Sequence, residues 1–351
     1  MWAVTVWQQM GMPSQVRLVE VGPGRGTLMA DILRATGGMR QFAEAVSVHL
    51  VEVSPALREK QYETLRCADD GAASTRSTEE EGPPPLKVGA SAIGACPSVQ
   101  WHASLADVTP GVPTIYILHE LLDALPVHQF VRTPRGWREV LVDHDTSEET
   151  PMHFRFAISW HPTPASEVMK EYLPGPEGTG AADGGWVPPQ HAGDGGQMET
   201  VELSGDAMGL CEELGRRVEA EGGAALLIDY GRDGWTGRSL IGIRGHAGVH
   251  PLSMPGRTDL SAWVDFRAMG RAARRGGNVQ VHGPADQGDF LRAMGIDTRL
   301  EMLCRGASEE QRGRLRDGHR RVTGGGEEGM GRTYKVMALV SSQAGAPAGF
   351  G

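Results

Sequence analysis

Apolar positions in this sequence fall into short runs that alternate with helical spacings. Val16-Arg-Leu-Val-Glu-Val21 is such a run, and Gly-Pro-Gly-Arg-Gly follows it directly. The pattern predicts a buried strand stopped by a tight turn. Residues 28–33 then repeat at helical intervals, and residues 46–53 alternate like a second strand. Pro55 sits well in the first turn of the next helix, with Ser54 as its cap. Strand, glycine turn, helix, strand, helix is the opening of a doubly wound α/β sheet. Ahead of it, Trp2, Val4, Val6 and Trp7 read as part of a core helix.

Further strands are predicted at Val99-Gln-Trp-His, at residues 114–118 and at Ala224-Ala-Leu-Leu-Ile-Asp-Tyr230. A hairpin is expected from residues 127–131 and 137–142 around Pro134-Arg-Gly136. Residues 206–220 are helical, helical patterns fill most of 259–321, a glycine loop covers 324–331, and 334–340 close the chain as a strand. There are no internal repeats. Residues 69–97 and 174–197 interrupt the pattern. The first begins with a stretch lacking large apolar residues, and the second carries eight Gly and four Pro in 24 residues. Neither buries enough surface to order itself, so both are expected as disordered insertions. The reading is one domain over 1–340 with a flexible tail at 341–351.

Composition agrees with a diluted core. Gly (49) and Pro (22) make about one residue in five of the 351, against roughly one in eight in ordinary proteins. The formal charge of −10 repels a phosphate backbone. The basic stretches at 267–275 and 312–321 are spaced like solvated helix faces without interleaved aromatics, so nucleic-acid binding is disfavoured. No apolar run approaches the roughly 20 residues of a membrane helix. Cys67, Cys96, Cys211 and Cys304 lie far apart with no CxxC, which argues against structural zinc or a disulfide scaffold and suits a reducing compartment. His246 and His250 are four apart but lack a third ligand, so no metal is expected. No targeting signal is visible at the start.

The turn Glu20-Val-Gly22-Pro-Gly24-Arg-Gly26 carries most of the chemical information. It has no lysine for a phosphate-cradling loop, and its spacing is G-x-G-x-G where a dinucleotide fingerprint wants G-x-G-x-x-G. Glu20 would repel a pyrophosphate but suits the amino and sulfonium groups of S-adenosyl-L-methionine (SAM). That arrangement resembles the first motif of Rossmann-like methyltransferases. Glu52 ends the second strand, where a carboxylate can accept both ribose hydroxyls of an adenosine. Its bland reading is a strand-end acid near the cap of the next helix, and Glu20 with the glycines favours the ligand contact. Asp107, in Ser-Leu-Ala-Asp-Val, is either a contact to the adenine amino group or a plain loop aspartate.

A second group follows residues 114–118 in His119-Glu-Leu-Leu-Asp-Ala-Leu-Pro-Val-His128. Ligands gather at the carboxyl ends of strands in such sheets, so this loop is expected to face the transferable methyl. Glu120 and Asp123 share a face if the segment turns helically. They then suit a cationic acceptor such as a guanidinium, held by two oxygens. The bland alternative is a pair of acids at a helix N-terminus with His119 in the loop. Asp229 ends another buried strand as a third acid at the rim. Asp259 and Asp265 are candidates for the acceptor side, with Asp259 alternatively an early-turn acid of a helix starting there.

Taken together these stretches resemble the MidA-type family of mitochondrial protein arginine methyltransferases, assembly factors for respiratory complex I. The resemblance rests on residues 18–28, 48–54, 119–128, 133–139, 222–231 and 255–266. It implies a class I methyltransferase fold, SAM as cofactor, and symmetric dimethylation of an arginine on a complex I core subunit in the mitochondrial matrix. On that reading Glu20, Gly22, Gly24, Gly26, Glu52 and Asp107 bind the cofactor. His119, Glu120 and Asp123 are catalytic, and Asp229, Asp259 and Asp265 meet the substrate. A non-catalytic assembly chaperone that keeps the fold is the alternative, and a nicotinamide dehydrogenase is a distant third. The family also carries roughly a hundred residues, a presequence among them, before the position of Trp2, a segment of ordinary domain scale with no counterpart in this sequence.

Overall fold

The computed structural model describes residues 1–68, 86–93, 98–146, 152–173, 199–326 and 329–351. Its chain forms two compact units. One is Met1–Leu122 with Cys211–Tyr230 and Gly270–Gly351, and the other is Asp123–Leu210 with Gly231–Met269.

The first unit starts with α1 (Trp2–Gln9), β1 (Val16–Val21), α2 (Thr27–Thr36), α3 (Arg40–Ala45), β2 (Val46–Val51) and α4 (Pro55–Thr64). Strands β3 (Cys67–Ala68), β4 (Lys87–Ser91), β5 (Val99–His102) and β6 (Thr114–His119) follow. The second unit contributes β7 (His128–Thr133), β8 (Gly136–His144), β9 (Phe154–Ile158), α5 (Pro164–Val168) and β10 (Thr200–Leu203). After α6 (Gly205–Glu221) and β11 (Gly223–Arg232) come β12 (Ile241–Arg244), β13 (Ala247–Val249), β14 (Asp259–Ser261), β15 (Val264–Asp265) and α7 (Phe266–Gly276). The first unit closes with β16 (Val279–Asp286), α8 (Gln287–Ala293), α9 (Ile296–Arg305), α10 (Glu309–Thr323), α11 (Met330–Thr333) and β17 (Tyr334–Ser341).

The first unit's sheet runs β16-β17-β11-β6-β1-β2-β5-β4-β3. β1 pairs in parallel with β2 and β6, and β6 in parallel with β11, while β17 enters antiparallel. From β1 the strand order grows in both directions, so a topological switch point lies at the carboxyl ends of β1 and β6. This is the Rossmann-like class I methyltransferase sheet that the resemblance implies. Val16 and Leu18 of β1, with Leu50, Trp101 and Ile117, pack into one core with Trp2 and Trp7 of α1 and Met29 and Leu33 of α2. In the second unit β10-β7-β8-β9 form one small sheet and β13-β12-β14 another. The hairpin expected around Pro134 is β7–β8, in antiparallel register from Thr133↔Gly136.

Several segments differ from the pattern reading. Residues 87–91, expected inside the first insertion, form β4 and pair with β5. The rest of that insertion, apart from residues 86, 92 and 93, lies outside the described residues, as does 174–197. Helical spacing over 259–321 hides three strands, β14, β15 and β16. The last residues, expected as a flexible tail, lie against the core. The Trp2 indole N–H donates to the Ala348 carbonyl at 3.1 Å, and the Phe350 ring sits 5.3 Å from that of Phe290. No helix of the described residues is long and apolar enough to cross a membrane.

β2 and β5 also carry a buried pair, His49 and His102, with Nδ1 of the first 3.0 Å from Nε2 of the second. The His102 carbonyl accepts the Glu52 N–H at 2.9 Å, so the pair sits beside the point where Glu52 leaves the sheet. Burial first, then its neighbours His102 and Arg17, lowers His49 to about 3, and burial lowers His102 to about 4. Both rings are therefore neutral when folded but take up protons near pH 6.5 once unfolded. The unfolded chain binds more protons, so stability falls as pH drops through 6.5 toward the folded values. The unfolding temperature is expected to fall between pH 7 and pH 5. His49→Gln with His102→Gln should remove much of that fall, and an identical profile in parent and double variant would refute the assignment.

Candidate functional site

β1 ends at Val21, and the chain then bends through Gly22, Gly24 and Gly26 at φ +69°, +52° and +77°. An L side chain resists this left-handed geometry. Gly22 has a second reason to lack one. A Cβ there would lie 2.6 Å from Cδ1 of Leu121, in the loop that follows β6. The Gly26 N–H donates to the Pro23 carbonyl at 2.8 Å, and its own carbonyl accepts the Ala30 N–H at 3.1 Å. The turn thus feeds directly into α2, whose first amides have no intrahelical partner.

Glu20 lies two residues before the turn, on the side of β1 shared with Val16 and Leu18. It is 3% exposed, and its Oε2 finds no hydrogen-bond partner among the described residues. Burial pushes its carboxyl up to about 7. An unpaired buried acceptor costs roughly 1–3 kcal/mol. A cationic donor seated beside it would recover that energy and favour the ionised form.

Glu52 follows β2 and is buried. Its Oε1 accepts the Ser54 N–H at 2.9 Å and its Oε2 accepts Nε2–H of Gln61 at 3.2 Å, leaving further lone pairs for a ligand. Ser54 caps α4 as expected, its Oγ accepting the Leu57 N–H at 3.3 Å. Gln61 was not singled out by the sequence. It is 0% exposed, donates also to the Gly24 carbonyl at 2.7 Å and accepts the Trp101 indole N–H at 2.9 Å. A glutamine on a polar helix reads as surface, and only the folded packing reveals it. Asp107, beyond β5, takes the local role first: its Oδ2 accepts the Ser104 N–H at 3.0 Å and caps the turn Leu105–Asp107.

β6 ends at His119. Glu120 follows with φ +52°, a left-handed non-glycine residue, and its N–H donates to the Ile228 carbonyl at 2.9 Å. Such a conformation costs on the order of 1–3 kcal/mol and concentrates at functional sites. Both side chains are partly exposed, with Nε2 of His119 3.7 Å from Oε1 of Glu120. Asp229, expected as a third acid at the substrate rim, is 0% exposed. Its Oδ2 accepts the Leu122 N–H at 2.8 Å and its Oδ1 the Tyr230 N–H at 2.9 Å. It braces the loop whose Leu121 meets Gly22.

The remaining acids belong to the second unit. Asp123 lies in the short turn Leu122–Ala124, which starts after the bend at Glu120, so the two acids do not share one helix face. Its Oδ2 accepts the Ser261 hydroxyl at 2.6 Å, and its carbonyl accepts the Ala262 N–H at 3.0 Å. A cleft of about 320 Å³ lies beside it, lined also by Val142, Phe156, Leu240 and Leu260. Asp259 is exposed on β14 and begins no helix. The helix-end role falls to Asp265, whose Oδ1 accepts the Ala268 N–H at 3.0 Å at the start of α7. Burial raises Asp265 to about 6. The first unit therefore gathers Glu20, the three glycines, Glu52, His119 and Glu120 at the carboxyl ends of its strands, with Gln61 added.

Residues 1–285 match the sequence model of a family described as "Putative S-adenosyl-L-methionine-dependent methyltransferase". A mitochondrial protein arginine methyltransferase, NDUFAF7, from Mus musculus is 38% identical over 310 residues, 88% of this chain and 63% of that protein. The Danio rerio protein of the same name is 35% identical over 86% of this chain and 64% of its own length. The Homo sapiens one is 35% identical over 97% and 70%. The chain thus spans a little under two thirds of the first two of these relatives. Among solved structures, an uncharacterized Burkholderia thailandensis protein superposes with TM-score 0.72 at 24% identity, covering 99% of this chain and 80% of that one. A second structure from that organism, bound to S-adenosyl-homocysteine, gives 0.70 at 23% identity, covering 99% and 76%. Both share the fold.

Glu20 has a folded value of about 7 against 4.5 for an ordinary glutamate. The folded chain binds the extra proton, so its favourable contribution is complete below 4.5 and disappears as pH rises through 7. Glu20→Gln is expected to gain in unfolding temperature over the parent as pH rises from 5 to 8, in protein free of ligand. A constant offset across that range would mean that the carboxylate is solvated.

Proposed function

Because this chain belongs to the S-adenosyl-L-methionine-dependent methyltransferase family, we propose that it binds that cofactor and methylates an arginine of a protein. The observation that carries the reading is the unpartnered, buried Oε2 of Glu20, two residues before a turn of three left-handed glycines. A dinucleotide would bring pyrophosphate charge toward that carboxylate, whereas a ligand with an amino group supplies the missing donor. Glu20 would hold the amino end, Glu52 the ribose hydroxyls and Asp107 the adenine amino group. The turn at Gly22, Gly24 and Gly26 admits the ligand close to its backbone. When bound, the cofactor supplies a methyl group activated by a sulfonium.

The chain's own residues then have an acceptor to position. A guanidinium keeps its proton near neutral pH, so orientation and charge stabilisation do most of the work. Glu120, with His119 beside it, and Asp123 are the proposed guanidinium contacts, and Asp259 is an exposed acid for the acceptor side. Asp229 and Asp265 act through the backbone amides they hold. The strained bend at Glu120 favours catalysis over an assembly chaperone without an acceptor site. Symmetric dimethylation of a respiratory complex I subunit in the mitochondrial matrix is the finer proposal, supported by the resemblance and by relatives named as mitochondrial arginine methyltransferases.

Glu52→Ala is expected to weaken SAM binding by about 1–3 kcal/mol through lost charged hydrogen bonds, measured by titration calorimetry, and unchanged affinity sinks the ribose assignment. NAD should give no thermal shift. On a co-expressed complex I subunit, methylarginine should vanish in Glu120→Ala with Asp123→Ala. Its persistence overturns the acceptor assignment, and its absence already in a SAM-binding parent supports the chaperone.

A further inference from the structure

We propose that Trp101 and Gln61 form a positioning relay that orients Glu52 for ribose recognition, an inference that rests on the cofactor reading above. An indole N–H only donates, so its 2.9 Å contact assigns the Gln61 amide oxygen to Trp101. Both amide hydrogens are then left for the Gly24 carbonyl at 2.7 Å and Oε2 of Glu52 at 3.2 Å. The flipped amide would set its oxygen against a carbonyl and a carboxylate and leave the indole without an acceptor. One orientation survives.

The carboxylate is consequently held by two neutral donors from two directions, Gln61 on one oxygen and the Ser54 N–H on the other. The nearby cation, Arg58, contacts the carbonyls of Glu52 and Val53, at 2.9 and 3.1 Å. The same glutamine walls the glycine turn, since a Cβ on Gly26 would lie 3.2 Å from its Cγ. One buried side chain therefore fixes the distance between the ribose-binding acid and the turn. An apolar side chain of similar length would fill the volume but fix neither.

The test compares S-adenosylhomocysteine with its 2′-deoxy analogue by calorimetry on the parent chain, Gln61→Met and Trp101→Phe. The parent should prefer the hydroxylated ligand by roughly tenfold or more, as for a hydrogen bond to a charged group. Gln61→Met should cut that preference to within about threefold. Trp101→Phe, which keeps the ring and removes only the donor, should give an intermediate value and serves alone if Gln61→Met does not fold. Variants that unfold cooperatively yet keep the parent's full preference overturn the relay. A parent that binds neither ligand overturns the cofactor reading itself, and the relay with it.

Discussion

Glu20 places a carboxylate oxygen in the interior without a donor, and that arrangement costs free energy unless a cation arrives. Its cross-strand neighbours explain why no donor is at hand. β1 lies between β2 and β6, and Glu20 is in register with Leu50 and Ile117, two apolar residues of the core. Parallel strands buried on both sides are apolar by necessity. Glu20 is the one acid in that strand, two residues before the left-handed glycines. The turn, the switch point and the buried acid thus lie at the same end of one strand.

The other acids of the chain show how the available donor decides what a carboxylate does. Asp229 and Asp265 are as buried as Glu20, but each finds a backbone amide that needs an acceptor. Asp229 ties β11 to the loop after β6, and so holds Leu121 against the glycine turn. Asp265 closes the first turn of α7. Glu52 lies between the two cases, bound by Ser54 and Gln61 yet with acceptor capacity to spare. Identical chemistry serves architecture where the partner is the chain itself and leaves an acceptor free where the partner is missing.

Much of this was legible in advance. Strand β1 spans the residues its apolar run predicts, and the Gly-Pro-Gly-Arg-Gly turn and the Ser54 cap follow from local stereochemistry. Local rules act over a few residues, so a linear reading reaches them. They fail where distant residues decide. Apolar residues over 259–286 repeat at helical spacing, but pairing with distant partners draws β14 and β16 into sheets. Glu120 and Asp123 have the spacing of one helix face, yet the Glu120 amide is claimed by Ile228 of β11 and bends the chain beforehand. Gln61 carries no local mark at all, because its three partners come from the glycine turn, Glu52 and β5.

The short apolar strands and the glycine turn after the first of them already determined a doubly wound sheet. Periodicity and backbone stereochemistry are properties of neighbouring residues, so they can be read in order along the chain. Which acid stays unpaired, which braces a loop and which glutamine holds Glu52 were decided only by tertiary structure. Those roles depend on which donor lies within 3 Å in space, and hydrogen-bond partners such as Asp229 and Leu122 or Trp101 and Gln61 are brought together only by the folded sheet.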